Sequence, residues 1–233
     1  MDNTPNSRYL SIISGLFIAS LLITSVTNTK LITAGPFIMT GGTLLFPVAF
    51  IFNDILTEVY GFARTRAVIW TGVFCQLFAG TFYWIVGQLP PASFWIHQEA
   101  YEVILNTAPR LAIASVIAYL CGEFANSIVL SRMKHKSNGA RDFRQSLRFI
   151  LSTIVGEGVD SIVFIAVAFG GTMPIEELAY TAGSIYVLKV IYEALLTPFS
   201  TRFANWLKEK EGMDKIDDPS TTNYNPFAFG DRA

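Results

Sequence analysis

Apolar residues run along the chain in six long blocks, at about 9–29, 43–62, 67–89, 111–131, 149–170 and 180–203. Each block holds about 20 residues, the length an α-helix needs to cross a hydrocarbon core about 30 Å thick. The pattern predicts an all-α, polytopic membrane protein: one six-helix transmembrane domain over 1–207, followed by a polar tail at 208–233. The tail holds Asp and Pro and little apolar surface, so it is expected to be disordered. The first block is too long for a signal-peptide core and lacks a small-residue cleavage site before Lys30, so it is read as a retained helix. Between blocks, 31–42 is apolar but broken by Gly and Pro, which fits a hairpin or a re-entrant loop. The 90–109 segment is too polar to span and reads as an interfacial connector anchored by Phe94 and Trp95, or as an outer lid.

Composition removes the other classes. Of 233 residues 52% are hydrophobic and only 15% charged, against about 25% charged in a soluble domain. That hydrophobicity excludes intrinsic disorder of the whole chain. A net charge of −1 excludes a basic nucleic-acid-binding surface. Cys75 and Cys121 lie in apolar runs, so neither a disulfide framework nor a zinc site is expected, and no cofactor or metal is called for.

The basic residues set the orientation. With the N-terminus inside, Arg8, Arg64, Arg66, the six in the 132–148 loop and the five in the tail all fall in the cytoplasm. Only Lys30 and Arg110 stand opposite. Fourteen against two is a strong positive-inside bias, predicting that both termini are cytoplasmic.

Candidate chemistry lies in what remains inside the blocks: Asp54, Glu58, Glu123, Glu157, Asp160, Glu193 and Lys189. An ionised group at bilayer depth costs at least about 2.5–3.5 kcal/mol, so these side chains are expected to share an interior. Helical spacing agrees. Phe50, Asn53, Asp54, Thr57 and Glu58 share one face of the second block, and Ser115, Tyr119, Gly122, Glu123 and Asn126 one face of the fourth. Thr153, Gly156, Glu157, Asp160 and Phe164 align on the fifth, and Tyr186, Lys189 and Glu193 on the sixth. Asn53, Asp54, Glu123, Glu157, Asp160 and Lys189 fall near mid-depth, where secondary transporters hold substrate. Glu58 and Glu193 lie nearer the cytoplasm, and Asn28 and Arg110 at the outer mouth. The competing structural reading is that these groups glue helices together, with Lys189 and Glu193 as one i,i+4 ion pair; six acids are many for that. A negative interior favours a cation, a proton or a flat heterocycle rich in N–H donors, whose amidine-like edge a carboxylate can grip with two hydrogen bonds. Phe50, Tyr119, Phe164 or Tyr186 could stack on such a ring.

At these residues the chain resembles the queuosine precursor transporter family, also called the vitamin uptake transporter family. The resemblance is carried by Asn28 before Lys30, by GGTLLFPVAFIFNDILTEVYG (41–61), RLAIASVIAYLCGEFAN (110–126) and STIVGEGVDSIVFIAVAFGG (152–171), and by Lys189 with Pro198. It covers five of the six blocks. It implies import of the 7-deazaguanines preQ0 and preQ1 across a bacterial cytoplasmic membrane. It also implies remote kinship to the substrate-binding subunits of energy-coupling-factor vitamin importers. Glu157 stands where many members carry a glutamine or asparagine. The substrate-binding set is then Glu157, Asp160, Asp54, Glu58, Asn53, Asn28, Ser115, Tyr119, Glu123, Asn126, Lys189 and Arg110. Glu157 and Asp160 are expected on the donor edge, with Asp54 or Glu58 near the aminomethyl cation.

An enzyme is not expected, since His97 and His135 lie in loops on opposite sides and no HExxH motif or Ser/His pair exists. A binding subunit that docks partner ATPases is the alternative to a transporter working alone, because the chain has no Walker A motif. The expected partners are the small-molecule substrate and membrane lipid, with no nucleic acid; a homodimer stays open. Asp54 and Glu58, one turn apart, should not both ionise easily, so this pair is the expected proton carrier for coupled uptake. Lys189 would oppose the effect if it reached them, and its neutralising one acid for good would leave facilitated diffusion. For the topology, a membrane-impermeant thiol reagent applied to intact cells should modify His97→Cys and leave Asn138→Cys untouched. The reverse pattern overturns the orientation.

Overall fold

The polar–apolar blocks become helices of unequal character in the computed structural model, which describes residues 7–34, 37–105, 109–170 and 175–228. Helix α1 (Leu10–Thr27) leads into an antiparallel hairpin of β1 (Leu31–Ala34) and β2 (Phe37–Thr40), with Leu31 opposite Thr40. A turn of 3-10 helix (Gly41–Leu44) precedes α2 (Phe46–Tyr60) and α3 (Phe62–Gln88). Then come the short α4 (Gln98–Leu105), α5 (Pro109–Lys136), α6 (Phe143–Phe169) and α7 (Ile175–Glu211). Of the hairpin or re-entrant loop expected over 31–42, the paired strands fit the hairpin. Within the 90–109 segment, α4 buries no residue and leans on the end of α3, where Gln98 donates to the Gly87 carbonyl at 3.0 Å.

Among the described residues four helices, α1, α3, α5 and α6, are long and apolar enough to cross a membrane. The other two large helices differ for physical reasons. At 1.5 Å per residue the 15 residues of α2 reach only about 22 Å, and α7 carries charges along its 37 residues. Hydroxyl-bearing residues in these helices return their protons to the backbone, as Ser20 does to the Leu16 carbonyl at 2.8 Å and Thr197 to the Glu193 carbonyl at 2.8 Å. This satisfies the hydroxyl locally where no water would. The outward faces are apolar. Phe74, Phe78 and Phe82 follow one another along an exposed stripe of α3, with successive ring centroids 6.4 and 6.5 Å apart.

The arrangement is a ring around a buried axis. Helix α1 packs on α3, α3 on α5, α5 on α6 and α6 on α7, while α2 touches α1, α3, α5 and α7. Every residue of α2 from Asn53 to Tyr60 is buried. Between α7 and α1 the ring closes at one end, where the Tyr9 and Trp206 rings sit 5.6 Å apart. There Glu211, at the end of α7, caps the start of α1: the Tyr9 and Arg8 amides donate to its carboxylate at 2.7 and 3.1 Å, and the Tyr60 hydroxyl at 2.8 Å. A carboxylate at a helix N-terminus satisfies orphan amides and complements the helix dipole. Arg8, Arg66, Lys134, Arg148 and Lys208 all contribute to contacts at this basic end.

Two glycines bring α5 and α6 close together. A Cβ on Gly122 of α5 would lie 3.0 Å from the Gly156 carbonyl oxygen, and one on Gly156 of α6 would lie 3.0 Å from that of Gly122. Small residues at reciprocal positions let the two backbones meet, as membrane helix pairs do.

The tail departs from the expectation of disorder. Residues 213–228 fold back over the α2–α3 elbow. The Lys215 amide donates to the Val59 carbonyl at 3.1 Å, and Asp217 accepts from the Phe62 amide and the Ser131 hydroxyl, both at 2.8 Å. Arg66 donates to the Asn223 and Asn225 carbonyls, the Trp70 indole to the Pro226 carbonyl, and Tyr224 packs on Phe62. The tail's scattered aromatics and Asp217 find partners only on the folded elbow, which composition cannot register. Gly61 makes the elbow possible, with φ of 83° and room for Lys215 and Asp217 where a side chain would stand. Gly61→Ala should therefore destabilise the protein by about 1–3 kcal/mol and make the tail more sensitive to protease. Limited proteolysis and thermal unfolding of the purified variant check both.

Candidate functional site

The acids of the sequence separate into two layers. At the basic end, Glu58 of α2 is fully buried and meets two buried cations. Arg148 of α6 holds both carboxylate oxygens, with Nε donating to Oε2 at 2.9 Å, and Lys208 of α7 donates to Oε1 at 2.6 Å. Lys134 of α5 donates to the Glu58 backbone carbonyl and to the Lys215 carbonyl, and pairs with Asp214 at 2.6 Å. Lys208 also reaches Asp214, at 3.0 Å. Burial alone would raise the Asp214 carboxyl, but Lys134 and Lys208 outweigh it and hold the group below its usual range.

The second layer lies further along the bundle. Asp54 of α2 accepts a hydrogen bond from the Asn126 amide of α5 at 2.7 Å, while Asp54 Oδ2 and Asn126 Oδ1 have no partner among the described residues. Lys189 of α7 crosses to α6, with Nζ 3.1 Å from Glu157 and 3.4 Å from Asp160. Glu123 of α5 and Glu193 of α7 are buried, and none of their carboxylate oxygens accepts a hydrogen bond from a described residue. Glu123 is an electrostatic neighbour of Glu157, Asp54 and Asp160, and Glu193 of Glu157. Five acids and one cation thus face each other across α2, α5, α6 and α7, and the Gly122–Gly156 contact sits among them: a Cβ on Gly122 would approach the Asp160 Cβ to 2.8 Å.

Several sequence expectations change. Glu58 does not join Asp54 in a shared acidic pair; it is consumed by Arg148 and Lys208. Lys189 pairs across helices with Glu157 and Asp160, not with Glu193 on its own helix. Asn53 clasps α2 to α5 through Ser127, at 3.1 Å, and Thr57 does so at 3.2 Å. The Tyr119 hydroxyl lies 3.1 Å from where a Gly72 Cβ of α3 would stand. Tyr186 donates to the Ile154 carbonyl at 3.2 Å, tying α7 to α6. Ser115 is exposed, and Asn28, also exposed, lies beside Gly42 at the hairpin. The side chain of Arg110 lies outside the described residues.

The groups not singled out from the sequence are Arg148, Lys208, Lys134, Ser127, Asp214, Asp217 and Glu211. The first three entered only as positive charges at the membrane face. The available signal was their place at the ends of apolar blocks, level with Glu58 one helix away.

Taken together, a helical membrane bundle with a buried acidic face and no nucleophile–base pair among the described residues has the build of a solute carrier. Residues 40–203 match the protein family described as "Putative vitamin uptake transporter", and the chain belongs to that family. It is 31% identical over 161 residues to a protein of Bacillus subtilis (strain 168) named "Probable queuosine precursor transporter", covering 68% of this chain and 69% of that one. A protein of the same name from Haemophilus influenzae is 27% identical over 130 residues, covering 56% of this chain and about half, 52%, of the relative's length. No solved structure matches the chain.

Two outcomes follow from the basic-end cluster. Glu58→Gln strands two buried cations and should cost about 3–5 kcal/mol, read as a lowered melting temperature of the purified protein. Because the Asp214 carboxyl is held low when folded, its contribution is complete above the ordinary carboxylate range and is lost as pH falls through the lowered value. Tail protection against protease should therefore fall on acidification, and Asp214→Asn should remove that pH dependence.

Proposed function

We propose that this chain imports queuosine precursors, the 7-deazaguanines preQ0 and preQ1, across a bacterial inner membrane as a secondary transporter. The observation that carries the reading is the acidic layer: buried acceptors on Asp54 and Asn126 that find no donor among the described residues, beside Lys189, which Glu157 and Asp160 share. A buried acceptor left without a donor costs about 1–3 kcal/mol, and a donor-rich ligand removes that penalty. A deazaguanine offers ring and amino N–H groups along one edge, and preQ1 adds an aminomethyl cation. The names of the two relatives support the same substrate class.

The membrane arrangement in this reading has six spans with both termini cytoplasmic, α2 and α7 joining the four apolar helices. The gathering of Arg8, Lys134, Arg148 and Lys208 at one end of the bundle, with the start of α1 capped by the end of α7, supports it. Short α2 spans only with the hairpin and 3-10 turn completing its outer half. Within the site, Asp54 and Asn126 take the donor edge: one hydrogen bond ties them together and leaves an acceptor on each. Glu157, Asp160 and Lys189 meet the rest of the ring and its substituent.

Asp54→Asn keeps the volume and removes the charge. It should weaken preQ1 binding by about 1.5–3 kcal/mol, on the order of 10- to 100-fold in Kd. Thermal stabilisation of the purified protein across deazapurines, purines and vitamins is the measurement. Stabilisation by a vitamin and by no deazaguanine overturns the substrate assignment, and unchanged preQ1 affinity in Asp54→Asn makes that residue structural.

A further inference from the structure

Lys189 is committed, since it bridges Glu157 and Asp160. Asp54 accepts from Asn126. Two acids are left, Glu123 at 1% exposure and Glu193 at 2%, and among the described residues no donor reaches an oxygen of either carboxyl. Their surroundings are one-sided. Glu123 faces Asp54 from α2, Glu157 and Asp160 from α6, the committed Lys189 from α7, and the phenol of Tyr119 on its own helix. Glu193 faces Glu157 from α6 and Asp54 from α2. An ionised carboxylate in either place gives up its hydration and gains no donor among the described residues, and Lys189, the cation near Glu123, is already shared by Glu157 and Asp160, a setting buried charges do not tolerate.

A metal cation does not resolve this. It needs several oxygen ligands converging on one point, and among the described residues no group of three His, Cys, Asp or Glu side chains is so arranged. A proton does, because it needs one oxygen and removes the charge outright. Glu58, the other acid on the face of Asp54, is excluded by Arg148 and Lys208. Resting on the transporter reading above, we propose that Glu123 and Glu193 are the proton-binding groups that couple uptake to a proton gradient. Each carboxylate binds H⁺ from the outer solution while the site faces outward and releases it to the cytoplasm when the site faces inward; no bond of the substrate changes.

Infrared spectra of the purified wild type at neutral pH should contain the C=O stretch of protonated carboxyl groups. Glu123→Gln and Glu193→Gln should each remove part of it, and Glu102→Gln, on exposed α4, should leave it whole. A spectrum that neither buried substitution alters overturns the proposal, whatever the substrate proves to be. In proteoliposomes, an inward proton gradient should accumulate preQ1 about tenfold per pH unit for each coupled proton. In both Gln variants the preQ1 accumulation ratio should no longer depend on the proton gradient. Accumulation driven by sodium and indifferent to pH, or full accumulation by both variants, overturns the proposal. Absence of exchange in the wild type instead overturns the deazaguanine reading, and the infrared measurement still decides the proton sites.

Discussion

A helix that carries Asn53, Asp54, Thr57 and Glu58 on one turn-and-a-half cannot face lipid, and the bundle is organised around hiding it. Each of those side chains must meet a partner from another helix, because the medium supplies none. Asn53 and Thr57 meet Ser127, Asp54 meets Asn126, and Glu58 meets Arg148 and Lys208. These contacts draw α5, α6 and α7 onto α2, while Ile13, Phe17 and Leu21 of α1 pack with Ile55, Leu56 and Val59 in the apolar core. The ring order of the outer helices follows from serving one polar axis.

Along that axis the degree of satisfaction changes sharply. At the basic end Glu58 meets Arg148 and Lys208, and the tail adds Asp214 as a partner for Lys134 and Lys208 and Asp217 as a further acceptor. Saturated networks of this kind rigidify the region they occupy. One to two turns further in, acceptors outnumber donors. An unsatisfied acidic layer is a poor way to hold helices together and a good way to receive something that carries N–H groups or protons. The close Gly122–Gly156 contact holds α5 and α6 in register beside that layer, so Glu123, Asn126, Glu157 and Asp160 keep their relative positions without a bonded network of their own.

The division between what could and could not be read in advance is clearest in single residues. Helix α2 was recognisable because its polar positions recur at helical spacing within an apolar block, and local periodicity is a property of the chain alone. So was the grouping of acids on the inner faces of α5 and α6. The partners of Glu58 were not readable. Arg148 and Lys208 lie 90 and 150 residues away, and in one dimension they are indistinguishable from the cations that merely mark a membrane face. Lys189 shows the same limit: its i+4 neighbour Glu193 was the nearer acid in sequence, yet the side chain reaches across to α6.

Sequence alone therefore determined the elements that depend on local spacing and bulk transfer energy: a helical membrane bundle, the buried acidic faces and the family to which the chain belongs. Tertiary structure decided which of those acids are neutralised. It turned Glu58 into part of a closed ionic cluster, left Glu123 and Glu193 without partners, and folded an apparently solvated tail over the elbow at Gly61. The physical reason is that a charge's consequence depends on what stands within a few ångströms of it in a medium without water, and that neighbourhood is created only when distant segments pack.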